Sequence, residues 1–194
     1  MAYKKIFILL GNPDALSLTG AFADAYEEGA LSAGHEVRRM NVGDMRFDPI
    51  LHRGYKEIQA LEPDLRTFQA NITWCEHFVV VYPNWWCTMP ALLKGVFDRA
   101  WLPGFAFNFY KDGRLGWVKR LKGKSARILI AANLHPWATW LMFGEFTNEL
   151  ARGILGFSGF SPVRTKVFAP AERVTMTRRA WWIRRVKDMG RRAR

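Results

Sequence analysis

Apolar residues along this chain fall into two patterns that take turns. Lys4 and Lys5 lead into Ile6, Phe7, Ile8, Leu9 and Leu10, and Gly11 ends the run. An unbroken β-prone run of this kind reads as a parallel strand covered on both faces, here the first and central one. Over 17–34, Leu18, Phe22, Tyr26, Ala30 and Leu31 recur at three- and four-residue steps among charges, with Gly34 as the stop, which predicts a helix. Weak alternation over 36–42 predicts a second strand, and Gly43-Asp44 opens a polar loop through Pro49 to about Pro63. A helical pattern over 64–76 precedes His77-Phe78-Val79-Val80-Val81-Tyr82, a third strand stopped by Pro83. Residues 89–101 then form a helix with proline in its first turn. A fourth strand over 124–132, a helix over 138–155, a fifth strand over 161–168 and a final helix over 171–189 complete the series.

Strands and helices that alternate throughout imply an α/β three-layer sandwich: a parallel sheet with right-handed crossovers and helices on both faces. Five strands with ligand-sized loops after the first, third and fourth suit the flavodoxin-like order 2-1-3-4-5, in which a ligand sits beyond the carboxyl ends where the order reverses. The chain of 194 residues contains no linker-like stretch, so a single domain over 1–194 is expected, with a basic C-terminal helix at about 171–190.

Composition narrows this picture. With 49% hydrophobic, 14% aromatic and 24% charged residues, the chain can bury a large core. The apolar run at 6–10 is too short for a signal peptide, and no segment reaches the ~20 apolar residues that span a bilayer. A cytoplasmic protein is expected. Cys75 and Cys87 are too few for a disulfide framework and lack zinc-site spacing, so both should be reduced and no metal is expected. Of the net charge of +12, seven charges lie over 178–194, where eight Arg or Lys face only Asp188. That tail either lies on an anionic membrane as a basic amphipathic helix, or packs Trp181, Trp182 and Val186 on the sheet with its arginines in water. No nucleic-acid-binding module is recognisable.

Three loops carry the candidate chemistry. The first contains Asn12 and Ser17-Leu18-Thr19 and feeds directly into a helix; its amides and hydroxyls can hold a phosphate, or Ser17 or Thr19 can simply cap the helix. It lacks both G-x-G-x-x-G and the Walker lysine. The second, Pro83-Asn84-Trp85-Trp86-Cys87-Thr88, sets two tryptophans side by side at a strand end. Neighbouring side chains in extended backbone diverge, so at least one should line a cleft or surface, where a planar ligand stacks well; the other reading is an apolar cluster covering an edge. The third, Ala131-Ala132-Asn133-Leu134-His135-Pro136-Trp137, offers Asn133 and His135, the latter either a polar group of the site or an inert loop residue.

The run Tyr82-Pro83-Asn84-Trp85-Trp86-Cys87-Thr88-Met89-Pro90-Ala91-Leu92-Leu93-Lys94-Gly95-Val96-Phe97-Asp98-Arg99, followed by Leu102-Pro103-Gly104-Phe105-Ala106-Phe107, resembles the NAD(P)H:quinone oxidoreductases of the DT-diaphorase type. These include bacterial modulators of drug activity and ancillary subunits of potassium-efflux systems. The resemblance runs from the first strand to about Val167. It implies a flavin, FAD rather than FMN by a small margin, with NAD(P)H as reductant and a quinone as acceptor in a two-electron ping-pong cycle. It also implies a homodimer.

Carried residue by residue, the resemblance assigns the phosphate loop to Asn12, Ser17, Leu18 and Thr19, where relatives usually have His and Ser-Phe-Asn. It assigns the flavin edge to Pro83, Asn84, Trp85, Trp86 and Cys87, with Trp86 the best single match. Ala131, Ala132 and Asn133 stand where many relatives carry Thr-Thr-Gly-Gly followed by a tyrosine and a histidine, so Asn133 or His135 would stabilise charge at flavin N1 and O2. Phe105, Phe107, Trp137 and Trp140 are the candidate walls of the acceptor pocket. An azo- or nitroreductase shares this machinery, and a non-catalytic regulatory subunit of a membrane transporter is the reading from outside enzymology.

Overall fold

The computed structural model describes residues 3–110 and 114–193. Five parallel strands form the sheet: β1 (Lys5–Leu10), β2 (Glu36–Asn41), β3 (His77–Pro83), β6 (Ser125–Ala131) and β7 (Val163–Phe168), in the order β2-β1-β3-β6-β7. With the intervening hairpin strands β4 (Phe107–Phe109) and β5 (Trp117–Lys119) set aside, this is the expected order 2-1-3-4-5. The apolar runs that predicted β1 and β3 lie in register at its centre, Leu9 beside Val80 and Leu10 beside Val81. Both strands are buried because helices cover the two faces.

On one face, Phe7, Phe78 and Phe160 pack with Phe68 of α2 (Pro63–Trp74) and Phe97 of α3 (Ala91–Ala100). On the other, Ile6, Ile8 and Val79 meet Phe22 and Tyr26 of α1 (Leu18–Ser32), and Trp182 and Val186 of α5 (Met176–Arg192). The α1–α5 contact is close enough to demand glycine: a Cβ on Gly190 would lie 2.1 Å from the Tyr26 carbonyl oxygen. At the β7 edge, Arg164 and Lys166 are exposed and alternate with the half-buried Val163, Thr165 and Val167.

The helix expected over 138–155 is in fact two pieces. The short α4 (Pro136–Phe143) ends at Gly144, whose φ of 82° suits glycine, and a wider π-type helix follows over Glu149–Gly156. The final helix begins at Met176, capped by the Thr175 hydroxyl, five residues later than the pattern predicts, because Pro170 and the turn after it delay its start. The β4–β5 hairpin has no sequence signal, since three-residue strands are too short to show alternation.

Arg99 is wholly buried, and it ties α3 to the long loop before α2. It donates to Glu62 at 2.9 Å, to the Ala60 carbonyl at 2.8 Å and to the Asp48 carbonyl. Burial works to raise the Glu62 pKa, but the hydrogen bonds and charge of Arg99 outweigh it and hold the carboxyl below its ordinary range.

Candidate functional site

The carboxyl ends of β1, β3 and β6 open into a cleft of about 260 Å³ lined by residues of all three following loops and completed by α5. Its first wall is the β1–α1 loop. Asn12 is buried and donates through Nδ2 to Ser17 Oγ and Thr19 Oγ1, both at 2.9 Å, while its Oδ1 accepts from the Asp14 amide at 3.0 Å. Ser17 Oγ also accepts from the Gly20 amide and so caps α1. Of the two readings of this loop, helix capping by Ser17 is the one recorded in the geometry. The side chains brace one another, while the amides of Leu18 and Thr19 open the helix with no carbonyl one turn back to bond, at the positive end of its dipole.

The floor is the end of β3. The Asn84 amide donates to the Ala131 carbonyl at 2.8 Å, so the sheet extends one step past Pro83. Trp85 and Thr88 then exchange two backbone hydrogen bonds of 3.0 Å around a two-residue turn, with Trp86 at φ 52° and Cys87 at φ 61°. Positive φ at two non-glycine residues is strained. The turn separates the two tryptophans: Trp85, 46% exposed, lines the cleft, while Trp86 stands 98% exposed outside it.

The third wall joins β6 to α5. Asn133 is held by a reciprocal pair with Glu172, its Nδ2 donating at 2.7 Å and its Oδ1 accepting from the Glu172 amide at 3.2 Å. Ala131 lines the cleft, whereas the backbone of Ala132 is engaged with Phe168 and Ala171. Ala171, Glu172 and Arg179 complete the lining. Two polar atoms in these walls, Asn84 Oδ1 and Arg179 Nε, are buried without a protein partner. Such groups are costly unless something satisfies them.

The structure therefore gathers Asn12, Ser17, Leu18, Thr19, Pro83, Asn84, Trp85, Ala131 and Asn133 in one place. Trp86 and Cys87 lie outside this lining because the turn carries them away. His135 begins α4 and faces a different groove, beside β7 and α5. The candidate pocket walls do not converge on the cleft either. Phe105 packs edge-on against Trp101 and Phe107 against Phe157, while Trp137 and Trp140 stand exposed on α4. Arg179 and Glu172, distant in sequence, gave no signal beyond the density of arginine in the tail. No group of three or more candidate metal ligands occurs among the described residues.

The cleft at the switch between β1 and β3 lies where doubly wound parallel sheets take their ligands. The chain belongs to the family with a flavodoxin-like fold, whose profile matches residues 4–184. The Haemophilus influenzae protein named uncharacterized NAD(P)H oxidoreductase is 26% identical to it over 167 residues, 83% of this chain and 81% of that one. The NAD(P)H:quinone oxidoreductase of Methanothermobacter marburgensis superposes with a TM-score of 0.85 over 100% of both chains at 23% identity. The FMN-dependent NADH-azoreductase of Bacillus anthracis, solved with FMN, superposes with a TM-score of 0.73 over 97% of this chain and 98% of that one at 16% identity. At these identities the two solved structures speak to the fold.

Proposed function

We propose that the cleft holds a flavin and that the protein is a flavin-dependent NAD(P)H oxidoreductase with a quinone as its acceptor. The observation that carries this reading is the pair of buried, unpartnered atoms in the cleft wall, Asn84 Oδ1 and Arg179 Nε. One needs a donor and the other an acceptor, and a flavin brings both, ring N–H groups and phosphate oxygens. The residues present fit it: a helix N-terminus for the phosphate, an open indole face at Trp85, and walls from three strand ends. Held there by these residues, a flavin would supply two-electron redox chemistry between NAD(P)H and the acceptor, in keeping with a ping-pong cycle.

The chain's own part is to bind and orient. The Leu18 and Thr19 amides and the α1 dipole hold the phosphate, with Ser17 and Asn12 keeping the loop in shape. Arg179 adds a fixed positive charge. Asn84 accepts a ring N–H, and Asn133, tethered by Glu172, forms the opposite wall. The resemblance leans to FAD and the azoreductase of similar fold holds FMN; the two flavins share the ring system and first phosphate that these residues would contact.

Extraction of the purified protein and mass analysis should release FMN or FAD, and the holoprotein should oxidise NADH or NADPH faster with a quinone than with an azo dye. Arg179→Met should weaken flavin binding by roughly tenfold, the worth of a charge-assisted hydrogen bond, without lowering the melting temperature of the apoprotein. A colourless protein that takes up neither flavin ends the proposal.

A further inference from the structure

The cleft occupies the carboxyl end of the sheet, and a second concavity lies toward the amino end. Between β6, β7 and α5, Arg127, Arg164, Arg185, Asp188, Met189 and Arg192 line a hollow of about 330 Å³. That volume is near the lower limit of small-molecule pockets. Pairing of β6 with β7 sets Arg127 and Arg164 side by side in register, on one face of the sheet. Arg185, Asp188, Met189 and Arg192 recur at three- and four-residue steps, so they share one face of α5. Trp182 and Val186 hold that helix on the sheet, and Lys4 Nζ donates to the Ala193 carbonyl at its end at 2.9 Å. Like charges set side by side across two strands oppose folding. Burial first, and then the Arg164 charge, lower the Arg127 pKa, so this register pair is already costly before α5 adds Arg185 and Arg192. The one carboxylate of the lining, Asp188, is engaged by Arg191 at 3.0 Å.

We propose that this hollow is a binding site for a compact polyanion of the diphosphate class, separate from the cleft. Guanidiniums present forked N–H pairs that match phosphate oxygens two at a time. Four of them against one carboxylate leave a surplus of three positive charges, which suits two linked phosphates better than one. The Arg185 guanidinium lies 5.2 Å from the Trp181 ring centre, a contact that braces the side chain through its face and leaves its N–H groups to donate. Among the described residues Met189 is the only apolar member of the lining and no aromatic ring joins it, so nothing in the hollow would stack a nucleobase. The charge of the ligand, rather than an apolar body, is what the site can recognise.

Calorimetric titration of the full chain with pyrophosphate at about 0.15 M salt decides the matter. One saturable site is expected, with weaker binding of orthophosphate. Arg164 and Arg192 are exposed, and Arg164→Gln and Arg192→Gln should each lower the pyrophosphate affinity roughly tenfold, the worth of one hydrogen bond between charged groups. Without pyrophosphate, Arg164→Gln should melt no lower than the parent, because its register partner is a like charge. Lys122→Gln removes an exposed charge outside the hollow and Arg179→Met alters the cleft; both should bind pyrophosphate as the parent does. Absence of saturable binding, or equal affinity for orthophosphate, overturns the proposal. So does an equal loss in Lys122→Gln, which would reduce the effect to the overall field of a chain with net charge +12, or in Arg179→Met, which would assign the probe to the cleft. Tighter binding of a single-stranded oligonucleotide than of pyrophosphate, lost in the same two arginine variants, would overturn it in favour of a nucleic-acid contact.

Discussion

At the amino end of β3, His77 is buried with both ring nitrogens engaged, one to the Tyr26 hydroxyl at 2.9 Å and the other to the Ser125 hydroxyl at 2.8 Å. At the carboxyl end of the same strand, Asn84 keeps a buried oxygen without a partner, and the next turn holds Trp86 and Cys87 at positive φ. One strand thus ends in a closed polar cluster on one side and an open, strained one on the other. Closed clusters answer to stability alone. Along this strand, then, the unsatisfied atom lies at the carboxyl end, where the cleft is, and the satisfied cluster at the amino end.

The largest test falls on the buried Arg99 cluster, in which Glu62 and two loop carbonyls are satisfied although Arg99 Nε itself has no partner. Arg99→Met would strip Glu62 and two loop carbonyls of their buried partner, and denaturant unfolding should show a loss of about 3 kcal/mol while flavin uptake by the folded fraction is unchanged. Unchanged stability would mean that this cluster is not structural at all. His77 gives a smaller effect with a pH signature. Burial, with nearby Lys4, Arg127, His35 and Arg164, lowers its pKa from 6.5 to about 3. The unfolded chain therefore takes up a proton below its own histidine pKa that the folded chain refuses until about pH 3. Stability is complete above 6.5 and falls as pH drops through that window. Between about pH 7 and pH 5 the parent should lose about 2 kcal/mol more than His77→Gln; parallel losses would show that His77 takes up its proton as readily folded as unfolded. The smallest effect lies at the open end. Trp86→Gly should raise stability by about 1 kcal/mol by relieving a left-handed residue. It should leave flavin uptake unchanged, because Trp86 stands outside the cleft; weaker uptake would place that ring in the site after all.

Much of this was legible in the residues. Long apolar runs such as Ile6 to Leu10 have few competing interpretations, and their alternation with amphipathic stretches fixes a doubly wound sheet. The residues of the β1–α1 loop could be grouped from the sequence because they lie together in the chain. What failed were features set by local backbone or by distant contacts. Side-chain type does not announce the tight turn that turns Trp86 away from Trp85. Gly144 and the π-type helix divide a segment whose apolar residues alone suggest one continuous helix. Arg179 enters the cleft only because α5 packs against α1 through Gly190 and Trp182, a contact between segments far apart in the chain.

The alternation along β7 bears on how the molecule behaves among its own copies. An open five-stranded sheet has two free edges, each a template on which another chain can add a strand. The approaching backbone would have to come to about 4.8 Å, directly alongside Arg164 and Lys166, whose charges it cannot neutralise without stripping their water. Lengthening of the sheet from molecule to molecule is thereby opposed at the β7 border.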